Sequence, residues 1–223
     1  MPFATNKTIS NKRTELSSTR IITLTDFPVY NVRILEIYYH LFKDMKGDIL
    51  PSCALIHKDL ILPYFGDDVK SRFESFYQEN SGADYFLLNG SHRSSAQDLN
   101  GLDLRVVIFE NSDDINRFKN RNYSSSLFFE FLDNLESRGL VDSSYIDEAR
   151  ELVQRKELFD DKHDESIEDV ILDIVDHFTR NPYFETVCQK TRRMIERKVI
   201  PAYLGEGLWL KRKWKQQYWV KKF

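Results

Sequence analysis

The 223-residue chain is expected to be an α+β protein: a small mixed-sheet domain followed by an all-α C-terminal region. Three observations predict this. Short runs of β-branched and aromatic residues are confined to the first half, helical spacings of apolar residues dominate the second, and a polar, turn-rich stretch at 111–122 separates them. No internal repeat is evident.

The strand signals are Arg20 to Leu24, a run within Ile49 to Leu62, Tyr85 to Leu88, and Leu104 to Phe109. Between the first two, Asn31 to Phe42 carries Ile34, Leu35, Tyr38, Leu41 and Phe42 at helical spacing. Asp67 to Glu79 also reads as a helix, opened by acids that suit the positive end of the helix dipole. In the second half, Tyr123 to Ser137 places Leu127, Phe128, Phe131, Leu132 and Leu135 on one face and closes at Gly139. Further helices are expected through Ile146 to Val153, from an N-cap pair Ser166 and Asp169 through Phe178, and from Asn181-Pro182 to Val199. The resulting division is a flexible arm over 1–18, a sheet domain over 19–111, a helical domain over 123–207 and a basic aromatic tail over 208–223.

Composition narrows the function classes. With 41% hydrophobic and 30% charged residues the chain can bury a core, and no run of about 18 apolar residues offers a membrane span. The polar N-terminus lacks the apolar stretch of a secretory signal. Cys53 and Cys188 have neither CxxC nor paired spacing, which argues against a disulfide framework or cysteine zinc site and fits a reducing cytoplasm. A net charge of −3 gives no global attraction to nucleic acid, but the last thirteen residues hold six Lys or Arg and no acid.

The densest chemistry lies in YFLLNGSHRSSAQDLNGLDLRVVIF, residues 85–109. It reads as strand, turn, short helix, strand, with His92 and Arg93 at the break. Gly90 permits a sharp turn, and the first N–H groups of a helix point outward with partial positive charge. A phosphate is favoured there, with Arg93 as a bidentate contact and the hydroxyls of Ser94 and Ser95 as donors. The alternative is a serine-rich helix start that caps itself. Neither a Walker A loop nor a GxGxxG fingerprint is present.

At these residues the chain resembles the superfamily that joins the N-terminal domain of ParB partition proteins, sulfiredoxins and archaeal-type free serine kinases. Its hallmark is a strand, Gly-x-[His or Arg]-Arg, a helix with Ala three residues after that Arg, and a Gly turn into a strand. Gly90, His92, Arg93, Ala96, Gly101 and the strand 105–109 follow it, and the order of elements agrees over about 49–110. Ser91 stands where sulfiredoxins carry their reactive cysteine, which argues against that thiol chemistry. The Ser-His-Arg after Gly90 departs from the Glu-Arg-Arg usual in partition proteins and is nearer the Asp-Gly-His-His-Arg of the kinases.

The resemblance implies a nucleotide site of ATP or ADP with Mg2+. Asn89, Gly90, Ser91, His92, Arg93, Ser94 and Ser95 would hold phosphates, and His92 would help catalysis. The acceptor would be a small hydroxyl-bearing, serine-like molecule. The kinases place an acid between the first core strand and the next helix, which here points to Asp67 or Asp68; both also suit a helix N-terminus. The competing expectation is a ParB-like DNA-binding protein or nuclease using the helical half and the tail, where Lys211, Arg212, Lys213, Trp214 and Lys215 offer polyanion contacts. A terminal segment packed on the helices by its tryptophans is the plainer reading. Asp173, Asp176 and His177 share a helix side but read as a solvated face, and no metal site is expected. His57, Lys58 and Asp59 form a charged turn after a strand.

Overall fold

A computed structural model describes residues 14–24, 31–119, 125–154, 166–201 and 204. Five strands form one mixed sheet: β1 (Thr14–Leu16), β2 (Ile21–Ile22), β3 (Cys53–His57), β4 (Tyr85–Asn89) and β5 (Leu104–Phe109), in the order β1-β5-β3-β4-β2. β1 runs antiparallel to β5 and β4 antiparallel to β3, whereas β3 with β5 and β2 with β4 are parallel. The α+β class and the mixed sheet agree with the expectation from sequence. The arm expected over 1–18 ends earlier, because Thr14 to Leu16 form an edge strand opposite Val106, Arg105 and Leu104. Three residues lacking a long apolar pattern gave no strand signal.

Side-chain alternation divides the sheet into two faces. Ile22, Leu24, Ala54, Ile56, Phe86, Val107 and Phe109 point one way. Against them pack α2 (Asp67–Glu79) through Val69 and Phe73, α4 (Ser112–Lys119) through Ile115 and Phe118, and α7 (Ile167–Arg180) through Val170, Ile171, Ile174 and Phe178. The centre is aromatic: Phe178 stacks on Phe184 with centroids 4.3 Å apart and meets Phe86 edge-on at 5.4 Å. Each such pair contributes about 0.5–1.5 kcal/mol beyond area burial.

Ile21, Cys53, Leu55, Leu87, Leu104 and Val106 point the other way and meet Val187 of α8 (Val187–Glu196). On this side α3 (Ser91–Leu99) crosses the sheet. Gln97 fastens it, donating from Nε2 to Cys53 Sγ at 3.8 Å and accepting the Arg105 N–H of β5 at 2.9 Å. α1 (Val32–Lys43), α5 (Ser125–Ser137) and α6 (Ser143–Gln154) complete this layer, with Leu35, Leu41, Phe128, Leu132, Leu135 and Ile146 buried around Ala96 and Leu99.

The helical half does not stand apart from the sheet. Both large cores mix residues of 19–111 with residues of 125–204. The stretch at 111–122, expected as a boundary, contains α4, whose Asp113 and Asp114 lie in its first turn. α7 begins as its sequence predicts, with a capping box in which Ser166 and Asp169 satisfy each other's backbone N–H groups. The last helix begins later than Asn181-Pro182 suggests. Residues 181–185 carry no helix, Thr186 makes a β-bridge with Ile22, and Thr186 and Gln189 form the capping box of α8. The Thr23 N–H donates to the Glu185 carbonyl at 2.9 Å, so the sheet edge at β2 claims this segment before a helix can.

Candidate functional site at the start of α3

Gly90 joins β4 to α3 in a left-handed conformation, φ 105°, which L-residues adopt only at a cost. Its carbonyl accepts the first helical hydrogen bond from the Ser94 N–H at 2.7 Å. The N–H groups of Ser91, His92 and Arg93 therefore open the helix, and a glycine N-cap has no side chain to cover them. The space a Cβ would take is filled: it would lie 2.9 Å from Cys53 Sγ, 3.2 Å from Arg93 Nε and 3.3 Å from Arg93 Nη2. The guanidinium thus wraps beneath the glycine, where it is buried and donates to the Asn89 side-chain oxygen.

The positions expected to bind phosphate separate into two groups. Asn89, Gly90, Ser91 and His92 are half-buried, while Ser94 and Ser95 are buried. The Ser94 hydroxyl donates back to the Ser91 carbonyl at 3.1 Å. Ser94 and Ser95 are thus beyond the open first turn, and Ser94 is committed to its own helix. Asp67 and Asp68 occupy the exposed first turn of α2, on the opposite face of the sheet. Asp68 pairs with Arg72 at 3.2 Å, and no hydrogen bond or ion pair among the described residues links either acid to Asn89–Ser95.

His92 is tied to the start of α1. Its Nε2 accepts the N–H of Asn31, the N-cap of α1, at 3.2 Å. Asn31 in turn donates from Nδ2 to Glu148 of α6 at 2.6 Å, and Glu148 pairs with Arg33 at 3.2 Å. Burial, then the charges of Lys190 and Arg93, lower the His92 pKa to about 4. With Nε2 accepting, the neutral ring carries its proton on Nδ1. Burial raises the Cys53 thiol against the opposing charge of Arg93, so the nearest cysteine is protonated and inert.

α8 adds groups that the motif alone does not announce. Lys190 is 3% exposed, and burial lowers its pKa to about 8. Glu185, also buried, accepts from Arg193 Nε and Nη2 at 3.0 and 2.5 Å. The Thr186-x-x-Gln189 spacing is the one sequence signal for this helix start; nothing in the local pattern ties it to residue 92. A cleft of about 370 Å³ between the end of α2 and this segment is lined by Phe76, Asn80, Tyr183, Phe184, Glu185 and Arg193, away from Asn89–Ser95.

Other sequence candidates fall elsewhere. His57 pairs with Tyr85 at the opposite end of β4 from Gly90, and Lys58 Nζ meets Asp59 at 3.0 Å and Asp84 at 3.6 Å. These residues hold the turn before β4 and do not share the start of α3. Asp176 pairs with Arg180 at 2.7 Å. Among the described residues no group of three or more His, Cys, Asp or Glu is placed to hold a metal ion. No helix among them is long and apolar enough to cross a membrane. Lys211, Arg212, Lys213, Trp214 and Lys215 lie outside the described residues.

The arrangement suits an anion: three backbone donors at a helix start and a guanidinium beside the glycine that opens it. Comparisons with family models, curated proteins and solved structures find no match to this chain.

Proposed function

We propose that the start of α3 holds the phosphates of an adenine nucleotide, and that the protein passes the terminal phosphoryl group to a hydroxyl of a small, serine-like molecule. The observation that carries this reading is the left-handed Gly90 turn, which opens the N–H groups of Ser91, His92 and Arg93 above the Arg93 guanidinium. The resemblance of this segment to the nucleotide-binding members of the ParB and sulfiredoxin superfamily supplies the nucleotide and the acceptor class. In the transfer, the acceptor oxygen bonds to the terminal phosphorus and the bond to the bridging oxygen breaks. The shortened nucleotide leaves, and the hydroxyl proton passes to solvent. Positioning and electrostatic stabilisation carry most of such catalysis, which is what these donors supply. Mg2+ would travel on the nucleotide's phosphates, and the donors described here address phosphate oxygens.

A thermal-shift titration of the full chain with ADP and ATP tests the binding step, because a ligand bound by the native state alone raises stability by mass action. Nucleotide consumption with Mg2+ on addition of serine tests the transfer. Arg93→Ala removes a charge-assisted contact of about 1.5–3 kcal/mol, so nucleotide affinity should fall roughly 10- to 150-fold. Unchanged affinity in Arg93→Ala would refute the site assignment.

A further inference from the structure

The edge pairing that delays α8 also shapes a second concave surface. Ile22 and Thr23 hold residues 185 and 186 against the sheet, so Phe184 drops into the core while its neighbour Tyr183 stays outside, 8% against 52% exposed. Gln189 Nε2 donates to Asn80 Oδ1 at 2.9 Å, which ties the first turn of α8 to the end of α2. Between these elements lies the cleft of about 370 Å³, a volume in the range of small-molecule sites.

Its apolar walls are aromatic. The rings of Phe76 and Phe184 lie 5.7 Å apart between centroids and 33° from parallel, and exposed Tyr183 joins them. Among the described residues the Tyr183 ring stacks on no other ring and carries no cation over its face, so its faces are open to a ligand. Aromatic faces attract cations through their quadrupole.

Charge points the same way. The lining carries two carboxylates, Glu79 and Glu185, against one guanidinium, Arg193. Buried Glu185 accepts from Arg193 Nε and Nη2 at 3.0 and 2.5 Å, so this pair neutralises itself. Glu79 is exposed and makes no hydrogen bond or ion pair with any described residue. Arg72, two turns earlier on the same face of α2, is held by Asp68 at 3.2 Å. Glu79 is also the last residue of α2, where the helix dipole is negative. Asn80 returns both its backbone N–H and its Nδ2 to the Phe76 carbonyl, at 3.0 and 2.9 Å, and the carbonyls of Tyr77, Gln78 and Glu79 receive no backbone donor among the described residues. An uncompensated carboxylate, the carbonyl end of a helix and three aromatic rings thus meet at one cavity.

We propose that the cleft at the end of α2 binds a small organic ammonium ion with an apolar body, its charge beside Glu79 and the carbonyl end of α2 and its body against Phe76, Tyr183 and Phe184. The cleft and the start of α3 sit at opposite ends of β4, since Asn80 to Asp84 lead into that strand and Gly90 leaves it. The ammonium site is therefore independent of the phosphate cradle and takes a separate molecule.

Ligand-observed NMR titration of the full chain tests this with three probes of one shape: phenethylammonium, phenethyl alcohol and hydrocinnamate, which are cationic, neutral and anionic. Phenethylammonium should bind saturably and about tenfold more tightly than the alcohol, and hydrocinnamate more weakly than either. Glu79→Gln should weaken phenethylammonium about 2- to 5-fold and leave the alcohol unchanged, because it removes the charge and keeps the shape. Tyr183→Ala should weaken phenethylammonium about 3- to 30-fold. Both positions are exposed, so their urea midpoints should stay at the wild-type value. A merely structural side chain would move the midpoint and leave the ratio between the probes alone. Added salt should weaken the ammonium and spare the alcohol. Absence of saturable phenethylammonium binding, equal affinity for ammonium and alcohol, or affinities that Glu79→Gln and Tyr183→Ala both leave intact would each overturn the inference. Tighter binding of hydrocinnamate would overturn it too, and would hand the cleft to the outer edge of the Arg193 guanidinium.

Discussion

Replacing Gly90 with alanine should unfold the protein more readily than its small size suggests, and the structure separates the cost into two parts. The first is conformational: φ 105° in an L-residue costs about 1–2 kcal/mol. The second is steric. The new Cβ would stand 2.9 Å from Cys53 Sγ, and Cys53 is fully buried in β3 between two paired strands, so it has no room to give. Overpacking of this kind costs about 1–3 kcal/mol. The sum is roughly 2–5 kcal/mol, which for a chain of this length lowers Tm by roughly 5–20 °C. Urea denaturation followed by circular dichroism measures it, with Gly82→Ala as the reference. Gly82 also has positive φ, 91°, but nothing lies within 4 Å of its Cβ position, so only the conformational part should appear there. In a Cys53→Ala background the cost of Gly90→Ala should shrink by about the steric part. If Gly90→Ala costs no more than Gly82→Ala, or the Cys53→Ala background changes nothing, the close-packed turn described here is wrong.

Two further predictions concern stability. Thr186→Ala removes one half of the α8 capping box and should cost about 0.5–2 kcal/mol in urea, and the same loss should be read as a lower melting temperature; no change would show that the helix starts elsewhere. His92 has a folded pKa of about 4 against 6.5 unfolded, so between these values the unfolded chain binds more protons and stability falls as pH drops from about 6.5 to about 4. The fall attributable to this group is roughly 3 kcal/mol. His92→Gln, which keeps an acceptor for the Asn31 N–H, should flatten the stability profile over that window, and identical profiles for the two proteins would contradict the buried neutral imidazole.

Elements whose signals are local were legible in the sequence. α1, α2, α5 and α7 follow from apolar spacing with an N-cap, first-turn acids or a closing glycine, each a contact within one or two turns of chain. β3, β4 and β5 follow from apolar runs between turn residues. β1 was not legible, since three residues become a strand only because Leu104 to Val106 offer a paired edge. α4 was hidden by its polar composition: Ile115 and Phe118 alone face the core. The delayed start of α8 shows tertiary pairing prevailing over a good local N-cap, as Ile22 and Thr23 engage residues 185 and 186 first.

For the site, the sequence by itself determined the Asn89-Gly90-Ser91-His92-Arg93 junction, because a strand, a glycine and a polar helix start are consecutive and their geometry is set by backbone dihedrals. Only the tertiary structure decided what surrounds it. It turned Ser94 and Ser95 inward, set Asp67 and Asp68 on the other face of the sheet, and brought Asn31 and helix α8 against α3 from positions far apart in the chain. Such meetings depend on which faces of sheet and helix bury together, and strand alternation and helical spacing specify a face without naming its partner.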